Sequence, residues 1–388
     1  MRKTWPDVAK GGCIILVVLW HVITKHYLSV DWNTGLPIPA AWGSLGEQLL
    51  PLRMPLFFTI SGMFAAGAVQ RPWSVVVSPR VARFAYLYAL WLLIHTVIMW
   101  FTPDFDTAAA RTPLKIIEYL TITPTNLWYL YALALYFVIA KVTRQVPMYA
   151  LLPAAFLLSA VAAAHLLPEP SNRGQVYQNL VFFLAGLYLR SRIEQLADSA
   201  DSRRLIGFTA AYVVALLAMA AVHAQTWFGV WPLVSVVAIG FGVTAAAWVP
   251  RWPRIAAPLA TLGRSTLPIY VMHLPLLAIL DRFLRGPLGK VEPKVPLLVA
   301  VEPILLVAFL VMLCLWLHNG LRKVGAVWLF ELPRRAPKPA GLMPRQMSHA
   351  AKSDGARLDW FDRVAEQQRA RSDASAGSDV RDFAERPR

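Results

Sequence analysis

The chain has 388 residues, of which 57% are hydrophobic and only 15% are charged. Soluble domains carry roughly 25% charged residues, so this composition excludes an ordinary soluble protein. The apolar residues form long runs that are apolar on every side, which excludes an amphipathic helix lying on a membrane surface. A run of about 20 apolar residues is long enough to cross a bilayer core as a helix. The sequence therefore predicts a polytopic membrane protein.

The net charge of +16 would indicate a nucleic-acid-binding surface in a soluble protein. In a membrane protein, Lys and Arg instead collect in cytoplasmic loops and orient the helices. We therefore predict no nucleic-acid partner, and we expect the basic residues to meet the lipid bilayer or a phosphorylated substrate. Cys13 and Cys314 both lie inside apolar runs. Their positions predict neither a disulfide framework nor a metal site.

About ten apolar runs have lengths suited to transmembrane helices. They cover residues 11–28, 51–69, 84–101, 127–140, 148–167, 177–189, 205–222, 230–249, 267–283 and 297–317. Lys and Arg fall mostly in alternate connections, although a loop with Arg285, Lys290 and Lys294 breaks the pattern. The majority places both termini in the cytoplasm. We predict an all-α polytopic protein of the cell membrane, with about ten transmembrane helices and both termini cytoplasmic.

The composition changes near residue 331. Residues 1–330 contain all the apolar runs and are predicted to form the transmembrane domain. Residues 331–388 are rich in Arg, Asp, Ser, Ala and Pro and poor in apolar residues. That composition is typical of a disordered segment, so we predict a disordered, charged cytoplasmic tail.

The first apolar run carries ionisable residues, which at membrane depth are costly and usually functional or internally paired. Lys10 and His21 are 11 residues apart, about three helical turns or roughly 16 Å, and so share one helix face. Asp7 lies three residues before Lys10 and can pair with it. His21 is either an interhelical hydrogen-bonding residue or a general base, because a neutral imidazole can accept a proton.

Two later sites also have two interpretations each. In the second run, Ser61 and Gly62 permit another helix to approach closely, whereas Ser61 as a nucleophile would need a base within reach. Arg80 and Arg83 lie one turn apart at the entrance of the third run. They either mark the topology or bind phosphate, for which guanidinium groups are well suited.

The remaining candidates lie in other runs. Trp128 opens the fourth run, where we expect an outer helix end. Tyr270 and His273 lie near the middle of the ninth, and His273 has the same two interpretations as His21. His95, in the third run, is predicted to be structural. Glu302, in the tenth, is predicted to pair with an Arg or Lys.

In order and spacing, these motifs resemble the acyltransferase-3 family of membrane O-acyltransferases. The motifs are a basic residue separated from a His by ten residues, a Phe-Phe-x-x-Ser-Gly segment, an Arg pair, a Leu-Trp-Tyr-Leu segment and an Ile-Tyr-x-x-His segment. They begin at Lys10, Phe57, Arg80, Leu127 and Ile269. The stretch Asp-Val-Ala-Lys-Gly resembles the fucose-4-O-acetylase-like branch. Its Lys replaces the Arg that is usual in the family and lacks the bidentate fork of a guanidinium.

The resemblance implies transfer of an acyl group, often acetyl, from cytoplasmic acyl-CoA to a hydroxyl of an envelope glycan or a related lipid-linked or carbohydrate acceptor. It implies no cofactor beyond the acyl-CoA donor substrate. His21 is then the general base or a transient acyl carrier, and His273 is the second catalytic candidate. The implied substrate-binding residues are Asp7, Lys10, Ser61, Arg80, Arg83, Trp128 and Tyr270.

Two other functions remain open at this point. A transporter or flippase for a small anion or a lipid-linked sugar would explain the buried ionisable residues equally well. Transporters often contain repeated halves, whereas this sequence shows no internal repeat. A membrane scaffold without catalysis is disfavoured, because three histidines at mid-depth are costly without a use.

Overall fold

The computed structural model describes residues 3–32, 35–76, 80–105, 107–108, 110–290 and 296–333. Within these ranges the regular elements are helices and no strand occurs. The main helices are α1 Trp5–Lys25, α2 Ile38–Gln48, α3 Leu50–Val69, α4 Trp73–Val76, α5 Ala82–Trp100, α6 Pro113–Thr121, α7 Trp128–Val142, α8 Met148–Ala163, α9 Arg173–Tyr188, α10 Arg190–Asp198, α11 Ser202–Ala221, α12 Val230–Trp248, α13 Pro253–Arg264, α14 Thr266–Gly289 and α15 Pro296–Lys323. Nearly all of the predicted tail lies outside the described residues, so its disorder stays a prediction.

Seven helical segments of the described chain are long and apolar enough to cross a membrane. They are Trp5–Ser29, Ile38–Val69, Ala82–Trp100, Ser202–Ala221, Val230–Arg251, Thr266–Gly289 and Pro296–Lys323. The prediction of an all-α polytopic membrane protein is confirmed. The other three predicted spans correspond to α7, α8 and α9, which have 15, 16 and 16 residues. Such helices are about 23 Å long, so the count of ten and the cytoplasmic termini stay predictions.

Two contacts show that α3 runs antiparallel to α1. The Lys10 ammonium nitrogen lies 5.3 Å from the centre of the Phe64 ring. The guanidinium carbon of Arg53 lies 4.5 Å from the centre of the Trp20 ring. The start of α1 is therefore next to the end of α3, and the later half of α1 is next to the beginning of α3.

The helix α14, by contrast, runs parallel to α1. Gly263, at the end of α13, packs against the backbone of Asp7 near the start of α1. Asp281, late in α14, contacts His26 just after α1 ends. We refer to these two sides of the helical domain as the Lys10 end and the His26 end.

Glycines let neighbouring helices approach each other at backbone distance. A Cβ atom at Gly62 in α3 would lie 2.0 Å from the carbonyl oxygen of Phe183 in α9. One at Gly186 in α9 would lie 1.9 Å from the carbonyl oxygen of Thr59 in α3. The two helices therefore fit together only because neither residue has a side chain. This close approach is what the Ser-Gly step in the second apolar run predicts.

We expect Gly62→Ala to destabilise the fold by about 1–3 kcal/mol or more, the usual cost of overpacking. The added methyl group would meet a backbone carbonyl, which cannot rotate out of the way as a side chain can. Gly67→Ala in the same helix is the matched control, because a Cβ there would face open space, with no atom of another described helix within 4 Å. Thermal unfolding in detergent measures both variants. Equal midpoints would contradict the close packing of α3 on α9.

Candidate active site

Two histidines from parallel helices meet inside the helical domain. His273 Nε2 lies 3.2 Å from His21 Nδ1, and the two ring centres are 4.9 Å apart. His273 is only 2% exposed, whereas His21 is partly buried. The sequence predicted both residues as catalytic candidates. Because α1 and α14 run parallel, the structure brings the two imidazoles together as one pair.

The hydrogen bonds around this pair assign its protons. His21 Nδ1 lies 2.9 Å from the carbonyl oxygen of Val17, and His273 Nδ1 lies 3.0 Å from that of Ile269. A carbonyl oxygen only accepts, so in each neutral ring Nδ1 carries the hydrogen. His273 Nε2 then accepts the second branch of the His21 Nδ1–H bond. His21 Nε2 is left with its lone pair, which is the form that a general base requires.

Hydroxyl groups connect this region to Ser61. The Tyr270 ring centre is 6.1 Å from that of His273. The Tyr270 hydroxyl accepts from the Tyr129 backbone N–H at 3.2 Å and donates to the Asn126 carbonyl at 2.9 Å. The Tyr129 hydroxyl lies 2.9 Å from Ser61 Oγ. Ser61 and Tyr270 thus belong to one polar network beside the histidines, and Tyr129 joins them.

Tyr129 was missing from the predicted site residues, and its neighbour Trp128 was expected at an outer helix end. In the structure Tyr129 is buried, and the partly buried Trp128 packs on Phe58, with ring centres 5.7 Å apart. Both side chains lie inside the domain because α7 has only 15 residues, too few to span a core of about 30 Å. The short length of the fourth apolar run was the sequence signal that could have identified Tyr129 as a buried residue.

Cationic side chains gather around Phe64 at the Lys10 end. Lys10 forms the predicted ion pair with Asp7 at 2.9 Å while its ammonium faces the Phe64 ring. Arg80 donates to the backbone carbonyl oxygen of Phe64 at 3.4 Å. The Phe64 side chain itself is 49% exposed. Lys10 and Arg80, which are distant in sequence, therefore both contact Phe64, one through its ring and the other through its backbone.

The two arginines of the predicted pair point to different neighbours. Arg83 donates to the carbonyl oxygen of Phe330 at 3.4 Å, whereas Arg80 lies over the Phe137 ring, 5.5 Å from its centre. Within the described residues, neither arginine has a carboxylate at ion-pair distance. Burial, and after it the nearby charge of Arg71, lowers the pKa of Arg80 below its usual value. A bound anion would relieve both effects.

A cavity of about 330 Å³ lies beside this cationic cluster. It is bounded by the beginning of α1, the end of α3 and the beginning of α10. Its lining includes Asp7 and Phe64 of the cluster together with Lys3 and Arg190. The Lys10 end therefore combines an opening, an exposed ring and charges of both signs, since Asp7 and Glu194 also line the cavity.

Among the described residues, Glu302 pairs with a histidine and not with an Arg or Lys, so that part of the prediction was wrong. Its Oε1 lies 3.2 Å from His26 Nε2, and the other nitrogen of His26 lies 2.7 Å from Asp281 Oδ1. All three residues are buried, and Arg285 pairs with Asp281 at 3.0 Å. The helix α15 runs antiparallel to α1, so Glu302, near the start of α15, lies beside the end of α1. We call His26, Asp281, Glu302 and Arg285 the His26 cluster.

His95 is buried and donates from Nε2 to the carbonyl oxygen of Val271 at 2.8 Å. This bond joins α5 to α14 two residues before His273, which agrees with the structural role predicted for His95. Within the described part of the chain, no group of three or more His, Cys, Asp or Glu residues is arranged to hold a metal ion.

Comparison with known proteins agrees with this all-helical architecture. Residues 3–320 match the acyltransferase-3 family, described as an acyltransferase domain. The inner membrane protein YcfT of Escherichia coli (strain K12) is 28% identical over 292 residues, which cover 70% of this chain and 79% of YcfT. No solved structure matches the chain. Since the family match takes in nearly the whole helical domain, the chain belongs to the acyltransferase-3 family of membrane proteins and is an acyltransferase that transfers groups other than amino-acyl groups.

Proposed function

We propose that this protein transfers an acyl group, most simply acetyl, from acyl-CoA to a hydroxyl of an envelope glycan or a related acceptor in the cell membrane. The observation that carries the proposal is the placement of the His21–His273 pair along α1 from a cationic cluster. One end of the helix then suits an anionic donor, and the histidines suit the proton transfer that an attacking hydroxyl requires.

The cationic cluster suits the phosphates of the donor. Lys10 faces the ring of Phe64 and Arg80 donates to its backbone carbonyl oxygen, and Phe64 lines the cavity at the Lys10 end. Charge-assisted hydrogen bonds to phosphate are among the stronger polar contacts in proteins. His21 lies 11 residues further along α1, or roughly 16 Å. The long pantetheine arm of coenzyme A can extend along this distance and present its thioester to the histidines.

The histidine pair suits the chemistry of ester formation. The acceptor hydroxyl oxygen forms a bond to the thioester carbonyl carbon, and its proton moves to His21 Nε2. When the tetrahedral intermediate collapses, the carbon–sulfur bond breaks. The same proton then passes to the sulfur, so the products are the ester and free CoA thiol. His273 accepts from His21 Nδ1–H throughout and holds the ring with Nε2 towards the reactants.

The test is acyl transfer by the purified full-length protein in lipid nanodiscs, given labelled acetyl-CoA and an envelope glycan extract. We expect release of CoA thiol together with label in an alkali-labile ester of the glycan. His223→Asn is a suitable control variant, because His223 is exposed in a loop with a left-handed backbone that Asn tolerates. Movement of anions or glycans across vesicles without consumption of acetyl-CoA would instead identify a transporter or flippase.

The donor site makes a separate prediction. Hydrogen bonds to charged groups contribute about 1.5–3 kcal/mol, so Arg80→Ala and Arg83→Ala should each raise the KM for acyl-CoA by about tenfold or more. Lys115→Ala is the control, because this exposed cation lies on α6, beyond the far end of α5. Steady-state kinetics with varied acyl-CoA measure the effect. An unchanged KM in both arginine variants would leave them as topology markers.

A further inference from the structure

A guanidinium group is buried in α3 without a carboxylate to balance it. Arg53 is 6% exposed and lies in a segment long and apolar enough to cross a membrane. Its contact in the structure is the face of Trp20, 4.5 Å from the guanidinium carbon. Among the described residues no Asp or Glu lies within ion-pair distance of Arg53. Packing alone does not explain why a charged guanidinium group is buried at this position.

The energetic balance supports this view. A charged side chain costs about 2.5–3.5 kcal/mol at the centre of a membrane helix even on the mildest scale, and Arg53, which is buried in the first turn of α3, bears part of this cost. A cation–π contact such as that with Trp20 returns roughly 0.5–2 kcal/mol. The remaining cost is explained if Arg53 meets a negative charge that is present only during function.

The position of Arg53 along α3 indicates where in the helical domain this negative charge would form. Phe64, which faces Lys10, is 11 residues from Arg53 on α3, or roughly 16 Å. His21 is the same number of residues from Lys10 on α1. Arg53 therefore lies at the level of the histidines and away from the cations at the Lys10 end. Its contact residue, Trp20, directly precedes His21 in α1.

We propose that Arg53 is a catalytic residue that stabilises the oxyanion formed during acyl transfer. This inference rests on the proposed function. When the acceptor oxygen adds to the thioester carbonyl, an electron pair of the C=O bond moves onto the carbonyl oxygen. Guanidinium N–H groups donate hydrogen bonds to this oxyanion. As the C=O bond re-forms, the carbon–sulfur bond breaks and His21 gives the proton that it took to the sulfur.

The properties of arginine fit this role. A guanidinium group stays protonated under all ordinary conditions and presents its donors in a fixed planar fork. In a site that excludes water, donors that are already in place stabilise developing charge without reorganisation. The oxyanion exists only near the transition state, which explains why Arg53 has no carboxylate partner among the described residues of the resting protein.

The experiment compares Arg53→Gln and Arg53→Lys with the wild-type protein in nanodiscs, using acetyl-CoA and the glycan extract. Loss of one oxyanion donor costs about 10²–10³ in kcat. We expect a loss of this size in Arg53→Gln, with unchanged KM for both substrates and partial recovery in Arg53→Lys. Thermal unfolding is recorded in parallel. Removal of an unbalanced buried charge should leave the midpoint unchanged or raise it, whereas a structural residue would lower it.

Each other outcome has a definite meaning. Retention of kcat within tenfold in Arg53→Gln, a rise in the acceptor KM alone, or a lowered midpoint with intact kcat would overturn the oxyanion role. If Arg53→Gln does not fold, Arg53→Lys decides the question: lowered kcat at unchanged KM supports the role, and unchanged kcat refutes it. Absence of CoA release by the wild-type protein would refute the proposed function itself. Transfer by the wild type together with equal transfer by Arg53→Gln refutes only this inference.

Discussion

Replacement of His21 by alanine should lower acyl transfer by about 10²–10⁴-fold, the usual contribution of general base catalysis. The acceptor hydroxyl must lose a proton as it attacks, and His21 Nε2 is the nitrogen that the hydrogen bonds at Nδ1 leave with a lone pair. The protein should still insert and fold, because His21 is only partly buried and contributes a single hydrogen-bonding atom, Nδ1, to the contacts with Val17 and His273. Initial rates of CoA release in nanodiscs measure the effect.

Variants of His273 provide the comparison for His21→Ala. In the proposed mechanism His273 contacts His21 rather than the reacting atoms, so we assign it a positioning role. His273→Ala should lower kcat less than His21→Ala, and His273→Gln should recover part of the loss, because an amide oxygen can accept from His21 Nδ1–H. His95→Gln tests whether any buried histidine would have the same effect, and we expect it to retain transfer. Transfer above about a tenth of wild type in His21→Ala would assign the base to another residue.

The second large effect concerns stability. Replacement of His26 by leucine should destabilise the protein by about 3–5 kcal/mol, the usual result of removing one partner from a buried charged pair. His26 lies between the carboxyl groups of Asp281 and Glu302, at 2.7 and 3.2 Å. Without the imidazole, two buried acidic groups from α14 and α15 face each other across the end of α1. Unfolding in detergent, followed by circular dichroism, measures the loss.

Two variants separate charge from packing in the His26 cluster. Glu302→Gln removes one carboxylate and keeps a group that can hydrogen-bond to His26, so its effect should be the smaller. Combined with His26→Leu, it should recover part of the lost stability, since only Asp281 with its partner Arg285 then remains charged. If His26→Leu unfolds at the same midpoint as wild type, the pair of Asp281 with Arg285 is sufficient to hold these helices together.

Several properties of this protein follow from local sequence alone. Lipid offers no hydrogen-bonding partner to an exposed backbone, so long apolar runs must form helices, and the all-α polytopic fold follows. The helical period places Lys10 and His21 on one face, and an i,i+3 spacing pairs Lys10 with Asp7. The small side chains at the Ser-Gly step predict the close approach of another helix. Each of these properties depends on residues within a few turns of one another.

Other properties depend on which helices become neighbours. His273 and His21 are 252 residues apart in sequence and 3.2 Å apart in space. Apolar runs of similar composition are equally compatible with lipid and with one another, so hydrophobic periodicity does not specify their partners. Backbone contacts at glycines and buried polar pairs make that choice. Only the assembled helices therefore showed that the two histidines form one site, that Glu302 pairs with His26, and that Arg53 lies at the level of His21 without a carboxylate partner among the described residues.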